Sequence, residues 1–145
     1  MPDKPQTKRI WLEVVTPSKL ELRKEVEYVV VPTVTGIVGI LPGHIRLMAP
    51  LTTGVLRYKI DNQNYYMAVS EGYLEVTPHK VIVLAEAADL PENIDVQQAL
   101  NDKRQAESDL YKLSANRSDF ARAEINLSLA VSRLEVARKT GRKVE

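Results

Sequence analysis

The chain has 145 residues, no cysteine, 44% apolar residues and a formal net charge of +1. That length supports one compact domain, or a domain with an appendage, and the missing cysteine excludes a disulfide framework, a thiolate metal site and a cysteine nucleophile. No apolar run approaches the roughly 20 residues that cross a bilayer, and the start MPDKPQTKR has no apolar h-region, so the sequence reads as soluble and outside the secretory route.

Residues 1–9, with Pro2 and Pro5 among polar side chains, read as a disordered extension. From Ile10 to Ala85 come short β-prone runs: IWLEVV, KLELRK, VEYVVV, VLRYKI, YYMAVS, YLEV and VIVLA. Several alternate with a period of two. In VEYVVV that period puts Val26, Tyr28 and Val30 on one face; in VLRYKI it sets Leu56, Tyr58 and Ile60 opposite Val55, Arg57 and Lys59. Turn residues at Pro17, Pro32, Pro42-Gly43, Gly54, Asp61-Asn62, Gly72 and Pro78 separate the runs, which predicts an antiparallel β-sandwich or barrel over residues 10–87.

After AEAADLPEN the apolar period becomes helical, and residues 88–145 read as an antiparallel two-helix hairpin, an α+β arrangement overall. Val96, Ala99, Ala106, Leu110 and Leu113 form the first stripe, with Lys103 on one rung; Asp95 is an expected N-cap, with Gln98 at the capping-box position. SANRS reverses the chain. Phe120, Ala123, Leu127, Ala130, Leu134 and Ala137 form the second stripe, which Gly141 stops beside Arg138 and Lys139. With so many alanine rungs the seam buries little area, because a buried leucine contributes about 1.5–3 kcal/mol and an alanine much less. A closed and an extended hairpin are both physically reasonable.

Charge is uneven along the chain: residues 117–145 hold seven Lys/Arg against four Asp/Glu, whereas residues 1–93 hold ten against eleven. So slight an excess argues against nucleic acid as a partner and leaves an acidic protein surface for the tail. No phosphate loop, dinucleotide fingerprint, nucleophile elbow or zinc motif occurs. His44 and His79 each sit in a Pro-containing turn, where a local hydrogen bond is the simpler reading than a ligand or a base.

The stretch GIVGILPGHIRL, residues 36–47, has glycines among branched apolar residues, a pattern of bulges, positive φ or close backbone approach. At PTVTGIVGILPGHIRLMAPLTTGVLR the sequence resembles the epsilon subunit family of the rotary ATP synthase, through Gly36, Gly39, Ile40, Pro42, Gly43, His44, Leu47 and Gly54. SEGYLEV, VIVLAEAA and LPENID extend the resemblance to nearly the whole chain. Arg46 stands where the family often has proline, and Ile37 where some relatives carry an acidic residue implicated in contact with the ring.

The resemblance implies a non-catalytic rotor subunit whose sandwich meets the γ stalk and the c-ring loops through Gly36, Gly39, Pro42, Gly43, His44 and Arg46. The glycines are expected to let backbone lie close to backbone. It also implies a peripheral place on the cytoplasmic face of the bacterial plasma membrane, with no insertion into the bilayer. The hairpin would extend along γ and insert between α and β subunits to inhibit hydrolysis, its basic residues Arg122, Arg133, Arg138, Lys139, Arg142 and Lys143 meeting an acidic loop of β. Some relatives bind ATP on the closed hairpin, which implies as an alternative an ATP-sensing binding module built on that hairpin. Ile94, Asp95, Ala99 and Arg133 match that motif here, whereas Gln98 and Leu129 replace two of its arginines and weaken the case.

Overall fold

The computed structural model describes residues 8–112 and 117–144. The extension up to Thr7, Leu113 and Ser114–Asn116 of the expected reversal lie outside the described residues, and Arg117 and Ser118 already belong to the second helix.

Ten strands come first: β1 (Ile10–Val15), β2 (Leu20–Val26), β3 (Tyr28–Thr33), β4 (Gly36–Ile40), β5 (Leu47–Leu51), β6 (Gly54–Ile60), β7 (Gln63–Val69), β8 (Gly72–Thr77), β9 (Lys80–Ala85) and β10 (Ala88–Asp89). A short 3-10 turn, Pro91–Asn93, leads into α1 (Val96–Lys112) and α2 (Arg117–Lys139). The strands run in the order β10-β7-β6-β3-β5-β8-β9-β1-β2, with β4 on β3. β2 returns to pack against β6, so the sheet folds over itself around a single core. β1 and β9 pair in parallel, while the other neighbours are antiparallel. The two parallel strands sit at opposite ends of the sandwich sequence, and every strand between them acts as their crossover.

Leu12, Val14, Ile40, Leu56, Met67 and Leu74 are completely buried in this core. Burying each contributes about 1.5–3 kcal/mol. Leu56, Tyr58 and Ile60 point inward as the alternation of β6 requires. The face expected for Val26, Tyr28 and Val30 is corrected: Val26 is buried, but in β3 it is Val29 and Val31 that are buried. A corner at Glu27 causes the change, its amide donating to the Lys59 carbonyl and its carboxylate accepting from the Asp61 amide, so the parity restarts in β3. Asp61 and Asn62, at φ of 50° and 64°, form the two-residue turn joining β6 to β7.

The helices carry a second, smaller apolar cluster. α1 and α2 meet along buried alanines, Ala99 and Ala106 against Ala123 and Ala130, with Leu134 beside them. The C-terminal half of α2 then rests on the outside of the sheet, where Val136, Ala137 and Ile94 cluster with Ala68 of β7. Met67 and Val69 face the sandwich core, so Ala68 faces out by strand alternation. Gly141, at φ +86°, ends α2: its amide donates to Arg138 O and the Arg142 amide to Ala137 O, the paired bonds of a Schellman stop.

Candidate functional site

Two regions hold the residues that the sequence singles out: the loop and strands around Gly36–Leu47, and the junction between sheet and hairpin. In the first, the His44 amide donates to the Leu41 carbonyl at 3.1 Å and Gly43 has φ +82°. That is a type II turn, with proline supplying its fixed φ at the second position and glycine the positive φ at the third. The Gly43 amide also donates to Pro78 O, which ties the loop to the β8–β9 turn. His44 Nδ1 lies 2.7 Å from the Ile45 carbonyl, so Nδ1 is the protonated nitrogen, and the histidine makes the local hydrogen bond its turn suggested.

The expectation that Gly36, Gly39 and Gly43 let backbones approach is corrected. No heavy atom lies within 4 Å of where a Cβ would stand on any of the three. Gly36 and Gly43 have positive φ, and Gly39 lies exposed in open space. Close approach belongs instead to Gly72, where a Cβ would overlap the Leu84 carbonyl.

Around this block the sandwich exposes apolar side chains of which sequence reasoning singled out only Ile37. Ile37 and Ile45 are each 78% exposed, and Leu41 and Met48 nearly as much. Across the sheet, Pro50 is opposite Tyr73, Tyr73 opposite Leu84, Leu84 opposite Val15 and Val15 opposite Leu20, one row over β5, β8, β9, β1 and β2. Tyr73, Leu84 and Leu20 in that row are all largely open to solvent. The signal was present in the alternation, since Leu74, Val76, Val83 and Ala85 take the inward parity and leave Tyr73 and Leu84 outward. Arg46 is exposed at the edge of the same region.

At the junction, Asp95 caps α1, its carboxylate accepting from the Gln98 amide at 3.0 Å. The Gln98 side chain turns forward to Asp102 at 2.8 Å and does not close a reciprocal capping box. Asp95→Ala is expected to lower the stability of α1 by about 1 kcal/mol, read as faster amide exchange in Val96–Ala99 with the sandwich amides unchanged. Ile94 and Ala99 are buried packing residues. Arg133 binds Asp89 of β10 at 2.7 Å and approaches Asp102 of α1 at 4.0 Å. The four residues matching the nucleotide motif thus have intramolecular roles in packing, capping and ion pairing. Arg122, Arg138, Lys139, Arg142 and Lys143 are exposed on α2 and its tail. Buried at the foot of a groove between sheet and α2, the Tyr58 hydroxyl is pushed up to about 12, with the Glu92 carboxylate and Tyr65 adding to the effect. No group of metal-ligating side chains occurs among the described residues, and none of their helices is long and apolar enough to cross a membrane.

The beta-sandwich domain of the ATP synthase Delta/Epsilon chain matches residues 9–91, and its long alpha-helix domain matches residues 92–138. The chain belongs to the ATP synthase Delta/Epsilon chain family. Both halves of the fold, strands and hairpin, are those of the family. The ATP synthase epsilon chain of Halalkalibacterium halodurans is 46% identical over 126 residues, spanning 87% of this chain and 95% of that relative. That of Alkalihalophilus pseudofirmus is 48% identical over 130 residues, or 90% and 98% of the two chains. A cryo-EM structure of the Euglena gracilis mitochondrial ATP synthase, OSCP/F1/c-ring in rotational state 1, has a chain that superposes with a TM-score of 0.74 at 21% identity, over 95% of this chain and 86% of that one. At that identity the likeness is one of fold.

Proposed function

We propose that this chain is the epsilon subunit of a rotary ATP synthase, a non-catalytic part of the central stalk that couples ion flow in the membrane sector to ATP synthesis in the catalytic head. The observation that carries this reading is the match of both domains, in order, together with 40–48% identity to relatives named ATP synthase epsilon chain. The sandwich docks on the γ subunit and faces the c-ring loops, peripheral to the membrane on its cytoplasmic side.

The exposed row Pro50, Tyr73, Leu84 and Leu20 supports γ as the occupant of the outer sheet face, because partner interfaces centre on aromatic and apolar anchors that become dry on docking. The type II turn at Leu41–His44, with Ile37, Leu41 and Ile45 around it, supports contact of this end with the ring loops and γ. The hairpin acts as an inhibitory arm. It rests on the outside of the sheet through a cluster separate from the sandwich core, so it can depart without opening that core. Its exposed cations have the sign an acidic loop of a β subunit attracts.

Co-purification with γ tests the docking face. Tyr73→Asp combined with Leu84→Asp is expected to weaken γ binding at least about tenfold, with the melting temperature of the free chain little changed because both side chains are exposed. Undiminished binding by that double variant would place γ elsewhere.

A further inference from the structure

The hairpin is fastened at the sheet by two arginines, Arg133 of α2, which reaches across the short linker, and Arg142 just past the end of α2, which clasps carbonyls within it. Residues 90–95 join β10 to α1. On the sheet side of that linker, Asp89 Oδ2 accepts from Arg133 Nε at 2.7 Å, and the Pro91 carbonyl accepts from Arg142 at 3.0 Å. On the helix side, the Ile94 carbonyl accepts from the same Arg142 nitrogen at 2.6 Å, and Asp102 lies 4.0 Å from Arg133. Arg133 therefore reaches a group before the linker and a group after it, whereas Arg142 bridges two carbonyls within the linker. Swinging the hairpin off the sheet breaks the pair of Arg133 with Asp89, and bending between Pro91 and Ile94 breaks the clasp of Arg142.

The fully buried apolar part of the junction is small, Ala68 and Ala137 beside Ile94 and Val136, with partly buried Val55, Tyr66, Val96 and Val144 around it. Charge-assisted hydrogen bonds therefore have unusual weight there. Arg133 and Asp89 are only 26% and 23% exposed, which shields their pairing from solvent more than a surface ion pair. Asp102 is held toward Arg133 by the Gln98 amide, so the second carboxylate is itself positioned.

We propose that Arg133 and Arg142 form a two-point latch that sets how often the hairpin leaves the sheet, Arg133 by its ion pair with Asp89 and Arg142 by clasping the carbonyls of the hinge. The latch is internal. Closure of this chain accordingly requires no bound ligand, and release is driven by whatever competes for the arginines or screens them. The claim concerns the free chain, so it stands or falls separately from the inhibitory role of the hairpin in the assembled enzyme.

The chain has no cysteine, so a pair introduced at exposed Lys19 and Glu124 would report sheet-to-hairpin separation by spin-label distance measurement. Arg133→Gln and Asp89→Asn are each expected to raise the open population about tenfold. The double variant should open no more than Arg133→Gln alone, because both remove the same bond. Arg142→Ala should add to either, and raising salt should open the parent chain but not Arg133→Gln. Amide protection in β1–β9 serves as the control for folding. Unchanged distances in the single variants, additive effects of Arg133→Gln and Asp89→Asn, or salt-independent opening of the parent would each overturn the latch.

Discussion

Truncation after Asn93 is expected to leave a folded sandwich and to produce a several-fold rise in ATP hydrolysis by the assembled catalytic head. The sandwich survives because its core residues lie between Ile10 and Ala85, and the helices contribute no buried side chain to that cluster. The cut exposes Ala68, whose single methyl costs little, together with partly buried Val55 and Tyr66. Under the proposed inhibitory role hydrolysis should rise, because the α2 cations proposed to engage the head are removed. Replacing Arg138 and Lys139 by glutamate in the full chain should reproduce part of the rise, since both are exposed and the substitutions reverse the attraction without unfolding the helix. Turnover by the reconstituted head, with full-length or truncated chain, is the measurement. Equal turnover would remove the inhibitory role and leave the γ-docking role untouched.

The largest single-residue effect on stability is expected at Gly72. It sits between two neighbours, opposite Leu51 of β5 and Ala85 of β9, and a Cβ there would overlap the Leu84 carbonyl and crowd the Ala85 backbone. Backbone cannot yield as the end of a flexible side chain can, so Gly72→Ala forces β8 and β9 apart at the centre of the sheet. A loss of about 3–5 kcal/mol is expected, set against total stabilities of about 5–15 kcal/mol for domains of this kind. Gly39→Ala is the matched control: with nothing within 4 Å of its added carbon, it should change stability by less than about 1 kcal/mol. Urea denaturation midpoints of the two variants decide the comparison.

That contrast marks where sequence reading lost its grip. Both glycines sit among β-prone residues, and GIVGILPGHIRL draws attention to Gly39. Which backbone passes close to which glycine depends on the partner strand, and partner strands come from pairings up to tens of residues apart. The same cause hid the proposed docking face. Tyr73 and Leu84 are outward by parity within their own strands, yet only the order β5-β8-β9-β1-β2 lines them up with Pro50 and Leu20. The sequence places Arg133 in a nucleotide motif and among cations facing an acidic partner; the fold adds Asp89 beside it, from 44 residues away.

What the sequence determined by itself is local chemistry. Alternation set the strands, a spacing of three and four set the two helices, Asp61-Asn62 and Pro42-Gly43 made turns that their allowed dihedrals require, and Asp95 and Gly141 bounded the hairpin. Each of these is decided within a few residues by backbone sterics or by one hydrogen bond. Tertiary structure alone decided the parallel pairing of β1 with β9, the restart of parity at Glu27, the seating of α2 on Ala68 and the pairing of Arg133 with Asp89. Those depend on which distant surfaces meet, a choice made by the burial of the whole chain that no short window of residues encodes.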